Sequence, residues 1–102
     1  MTELNVSKLQ IEHVSVNTAS EFNGFHIKFL VDNQLFQFLV GQGTSLIPFG
    51  IKHVFTEKQA CQICNKTINA VPIGQQICSV LQSHREALLS YFKTNYADLL
   101  QH

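Results

Sequence analysis

The chain has 102 residues, 45% of them apolar and only 14% charged, with seven basic and seven acidic side chains in balance. This length implies one domain, residues 1–102, able to bury a core without a disulfide or metal. The lysines are scattered singly, so phosphate neutralisation on nucleic acid has little support, and no apolar run approaches membrane-spanning length. A weakly charged surface at zero net charge favours association, either as a homo-oligomer or with another protein. Three cysteines form an odd set behind an N-terminus that lacks a signal-peptide pattern. A disulfide framework is therefore not expected, and a reducing cytoplasm is the default compartment.

The first strand is expected within Lys8–Asn17. Leu9 and Ile11 share one parity there and Val14 and Val16 the other, so a β-bulge is expected near Glu12-His13. Asn23-Gly24 marks the following turn. From Phe25 to Val40 the register can be written directly. With Asp32-Asn33 as a two-residue tip, Phe29 faces Phe36, Ile27 faces Phe38 and Phe25 faces Val40. All six are large and apolar, and a slip of one residue would send them to the opposite face. The other face carries His26, Lys28 and Leu30 against Leu39, Gln37 and Leu35. Gly41-Gln42-Gly43 closes the hairpin, and Thr44–Gly50 with Pro48 reads as irregular or as an edge segment. Ile51, His53 and Phe55 alternate as a short fourth strand.

Thr56-Glu57-Lys58-Gln59 has the form of a capping box, which predicts a helix from Glu57 to about Ile68. Pro72 starts a new element. From Ile73 onward Ile77, Leu81, His84, Leu88, Phe92 and Leu99 recur at helical spacing, as one long helix or as two with a break near Thr94-Asn95. The expected fold is α+β: a three- to four-stranded antiparallel β-meander in the N-terminal half, packed by two C-terminal helices, the last one long. The helical stripe should cover the phenylalanine face.

The sharpest local string is Cys61-Gln62-Ile63-Cys64-Asn65-Lys66, with Cys78 further on. It resembles a zinc knuckle, whose tight turn lets two thiolates hold one side of a tetrahedral Zn²⁺, and Cys78 with His53 or His84 would complete four ligands. Two features argue against this. Asn65 stands where a knuckle usually has glycine, and a second Cys-x-x-Cys is absent. The i,i+3 spacing equally suits small buried side chains on the inner face of the predicted helix. Core cysteines rank first, with no cofactor, and a zinc site of Cys61, Cys64, Cys78 and His53 ranks second.

Other chemistry finds less support. A thioredoxin-like motif belongs at a helix N-terminus, not a turn inside one. A Cys61–His53 nucleophilic pair lacks an orienting carboxylate. Gly41-x-Gly43 lacks the rest of a phosphate loop. His84 reads as a hydrogen-bonded, partly buried histidine. The sequence therefore points to a small non-enzymatic protein that acts by contact, such as an inhibitor, immunity-type, adaptor or regulatory protein. The outer hairpin face (His26, Lys28, Leu30, Leu35, Gln37 and Leu39) is its candidate partner-binding surface. The alternative is a zinc-binding module that touches nucleic acid.

Overall fold

A computed structural model describes residues 9–70 and 76–100. Pro72 and Ile73, expected to open a new element, lie outside the described residues. Four strands form a continuous antiparallel meander in the order β1 (Ile11–Thr18), β2 (Gly24–Val31), β3 (Gln34–Gln42) and β4 (Leu46–His53). A two-stranded hairpin follows, β5 (Gln59–Ala60) with β6 (Thr67–Ile68). Then come helices α1 (Ser79–Ser83) and α2 (Arg85–Asn95), and a 3-10 turn at Ala97–Leu100. The fold is α+β, with two helices in the C-terminal half and the second the longer.

The β2–β3 hairpin has the register read from sequence. Phe25 pairs with Val40, Ile27 with Phe38 and Phe29 with Phe36. All six side chains are buried. Asp32 and Asn33 have φ of 51° and 65°, a two-residue turn with both residues left-handed, whose twist matches the flanking strands. The bulge also falls where the parity switch places it. Glu12 pairs with Leu30 and Ser15 with Lys28, so His13 and Val14 oppose Phe29, and His13 takes φ 52°. The extra residue lets Ile11 and Val16 lie on the same face.

β4 begins earlier than the alternation of Ile51, His53 and Phe55 indicates. Pro48 lies within it on an edge strand, and a register shift between Leu39 and Val40 leaves Phe49 unpaired. The far edge of β4 is then taken by the segment before α1. The N–H of His53 donates to the Gln76 carbonyl (2.9 Å) and the N–H of Cys78 to the Ile51 carbonyl (2.9 Å), with Lys52 bridged to Ile77.

The helices cover the phenylalanine face. Leu81, Leu88 and Phe92 are buried there, and the Phe92 ring lies 5.3 Å from Phe29 and 6.2 Å from Phe38. The helical stripe needs three corrections. The chain breaks at His84 (φ −114°, ψ 22°) as well as after Asn95. Ile77 precedes the helices in a β-bridge and is 47% exposed, and Leu100 rather than Leu99 turns inward.

The helix expected over Glu57–Ile68 does not form. Gln59 pairs with Ile68 and Ala60 with Thr67 as a hairpin, and Ile68 is fully buried. Contacts distant in sequence override the local capping pattern here, as tertiary packing commonly does with propensity.

Replacing Phe92 with Ala should cost about 3–5 kcal/mol in urea unfolding, the range for removing a buried aromatic. Asn33→Gly should leave stability unchanged or raise it. Asn33→Val should lower it by about 1–2 kcal/mol, because a β-branched residue resists the left-handed conformation.

Candidate metal centre

β4 ends on His53, whose alternation with Ile51 points its ring to the covered side of the sheet. The imidazole is fully buried against Phe36 (ring centroids 5.5 Å apart) and Phe55 (5.2 Å). Its Nδ1 lies 2.7 Å from the Gln76 carbonyl oxygen. A carbonyl only accepts, so Nδ1 carries the proton and Nε2 keeps a free lone pair. This is the arrangement by which a second-layer acceptor orients a metal-ligating histidine.

Nε2 faces the β5–β6 hairpin, and its distance to Cys64 Sγ is 3.5 Å. The hairpin has the geometry of a knuckle. The N–H of Asn65 donates to the Cys61 carbonyl (2.8 Å) and the N–H of Cys61 to the Lys66 carbonyl (2.9 Å). The N–H groups of Ile63 and Cys64 both point at Cys61 Sγ, at 3.4 Å. Asn65 takes φ 63°, the left-handed conformation that glycine usually supplies at this place and that asparagine tolerates better than other side chains. The feature that weakened the motif in the sequence is therefore compatible with it.

Cys78 arrives from the segment paired with β4, immediately before α1, and is fully buried. One nitrogen of His53 and the sulfurs of Cys61, Cys64 and Cys78 all lie within 4.8 Å of one another. For a tetrahedral zinc with ordinary bond lengths, the ligand edges are about 3.5 Å for nitrogen to sulfur and about 3.8 Å for sulfur to sulfur. The donor set suits such an ion, and the 3.5 Å from His53 Nε2 to Cys64 Sγ matches the nitrogen-to-sulfur edge. His84 does not join them. It is half-buried, with Nδ1 beside the Val80 carbonyl (3.0 Å) and Ser83 Oγ (3.1 Å).

The electrostatics of the donors are those of a compact thiol group. Cys61 is held well below the ordinary thiol range, chiefly by a hydrogen bond from Cys78, with further support from the N–H groups of Cys64 and Ile63; burial opposes the shift. Cys78 is pushed far up, first by its bond to Cys61 and then by burial. The two opposite shifts describe a single thiolate shared between Cys61 and Cys78.

Two residues with no motif of their own hold this arrangement together. Gln34, the first residue of β3, is buried. Its Nε2 donates to the Ala60 carbonyl (2.7 Å) and to Gln59 Oε1 (3.0 Å), and its Oε1 accepts from the Gln62 N–H (2.9 Å). Gln76 supplies the carbonyl that sets His53. The six residues of the outer hairpin face, by contrast, lie on the side of the sheet away from the cluster. Lys28 is exposed and His26, Leu30, Leu35, Gln37 and Leu39 are half-buried.

No family model, curated protein or solved structure matches this chain.

Asn65→Gly should preserve the knuckle and its stability. Asn65→Val should lower the unfolding free energy by about 1–2 kcal/mol through backbone strain. Gln34→Leu should cost about 1–3 kcal/mol, because it leaves the Gln62 N–H and the Ala60 carbonyl without their buried partner. Chemical denaturation of the three variants measures all of this.

Proposed function

We propose that this chain is a zinc-stapled α+β module that works by binding another protein, with the metal in a structural role. The observation that carries the reading is the convergence of His53, Cys61, Cys64 and Cys78 from three separate segments, with the lone pair of His53 already aimed at the sulfurs. The ligands would be His53 Nε2 and the three Sγ atoms. Four protein donors fill a tetrahedral shell and leave no position for water or substrate, which favours a structural over a catalytic site. Cys61 and Cys78 do belong to the hydrophobic core, as the first-ranked reading of the sequence had it, but not on the helical face that reading assumed. The ion would tie the end of β4, the knuckle and the start of α1 together, so metal binding would count as folding free energy. Among the described residues no helix is long and apolar enough to cross a membrane.

Protein purified without chelator should carry about one zinc per chain by elemental analysis. Less than about a tenth of an equivalent would remove the reading. Cobalt substitution should give the visible bands of a tetrahedral site with sulfur ligands. Cys61→Ser and His53→Ala should each lose most of the metal. Chelation should lower the thermal midpoint by more than about 10 °C, the shift expected for a loss of only about 2–3 kcal/mol in a domain of this size. Falling pH should release the ion, because binding requires thiolates and neutral imidazole.

A further inference from the structure

The three cysteines of the cluster are not equivalent. Cys61 is 1% exposed and Cys78 is fully buried, while Cys64 is half-buried and reachable from solvent. Their hydrogen bonding differs as well. Cys61 Sγ takes two backbone N–H groups, those of Ile63 and Cys64, both at 3.4 Å. Among the described residues Cys64 Sγ takes none. Its hydrogen-bonding neighbour is His53 Nε2 at 3.5 Å, and because Nδ1 faces a carbonyl and holds the proton, Nε2 has no hydrogen to give.

Burial and N–H donors both hold a thiolate back from reaction. Burial excludes the electrophile, and the donors draw charge off the sulfur. Cys64 escapes both. With a divalent ion bound as proposed above, three thiolates and a neutral imidazole leave the group net negative, so Cys64 keeps a nucleophilic lone pair on the open side. An accessible thiolate beside a second cysteine is the arrangement that peroxides oxidise reversibly. That second cysteine is Cys61. It shares the β5–β6 hairpin with Cys64, and a bond closed within this loop moves no other element. Cys78 is fixed instead by the bond from its own N–H to the Ile51 carbonyl (2.9 Å) and by the helix it opens.

We infer that Cys64 is a modification site for hydrogen peroxide, and that its oxidation ends in a Cys61–Cys64 disulfide that expels the metal. The Cys64 thiolate attacks one peroxide oxygen and breaks the O–O bond, giving a sulfenic acid and a hydroxide. The Cys61 thiolate then attacks the Cys64 sulfur, forms the S–S bond and displaces a second hydroxide. The two sulfurs are oxidised by one electron each, and the two peroxide oxygens are reduced to hydroxide. Cys78 and His53 remain, too few donors for a structural site. The end of β4, the knuckle and the start of α1 are then untied, so peroxide acts on the folding free energy that the metal supplies. The release step rests on the metal reading. The choice of Cys64 and Cys61 rests on burial and hydrogen bonding.

The test uses the intact chain as purified, with its zinc content measured first. Less than one equivalent of N-ethylmaleimide, followed by digestion and mass spectrometry, should leave about tenfold more label on Cys64 than on Cys61 or Cys78. On a separate sample, hydrogen peroxide should oxidise Cys61 and Cys64 together. Trypsin cleaves after Lys58 and Lys66, so both lie in the peptide 59–66, which should lose two hydrogens while Cys78 stays open to alkylation. Zinc, read by a chromogenic chelator, should appear in step with this bond, and dithiothreitol with added zinc should reverse both. Equal labelling, label chiefly on Cys61 or Cys78, a disulfide that includes Cys78, or oxidation that leaves zinc in place would overturn the inference. Absence of zinc before peroxide would instead sink the metal reading and the release step with it, while labelling and mapping still decide the roles of Cys64 and Cys61.

Discussion

Two backbone hydrogen bonds decide where the second half of this molecule sits. His53 donates to Gln76, and Cys78 donates to Ile51. They close the free edge of β4, which would otherwise present an unpaired row of donors and acceptors. They also set Cys78 beside His53 and start α1 at the point from which Leu81, Leu88 and Phe92 reach the phenylalanine face. The core and the thiol cluster thus depend on the same short stretch of strand pairing. Displacing it would expose the inner sheet and separate the four donors together.

The hairpin was legible because two independent signals agree there. Alternation puts six large apolar groups on one face, and Asp32-Asn33 fits a turn that needs two left-handed residues. The bulge at His13 was legible for a similar reason, since only an inserted residue reconciles the parities of Ile11 and Val16. The knuckle was not, because its signals conflict. Cysteines three apart suit one helical face as well as a tight turn, and Thr56 to Gln59 spells a helix start. What decides between them is remote: three hydrogen bonds made with Gln34, two donated and one accepted, and the arrival of Cys78 along β4. Neither is written in the local string. The break at His84 was hidden likewise, because the apolar spacing runs through it.

Three cysteines cannot all pair off with one another, and two of them, Cys61 and Cys78, are members of the hydrophobic core. Here they meet around a histidine whose other nitrogen is already occupied by a carbonyl. Buried polar groups in such a place need full satisfaction, and the backbone N–H groups aimed at Cys61 supply part of it.

Gln34 gives the molecule a property that its donor list alone would not suggest. The residue after the hairpin tip is the one that grips the knuckle, so the Cys-x-x-Cys loop is not a self-sufficient finger. Cut out and grafted onto another scaffold, it would lose the amide that holds Ala60 and Gln62 in place, and with it the orientation of Cys61. A protein built this way has little freedom to shuffle its parts. The hairpin and the loop that follows β4 must be inherited together, and a change in the length of either has to be matched by the other.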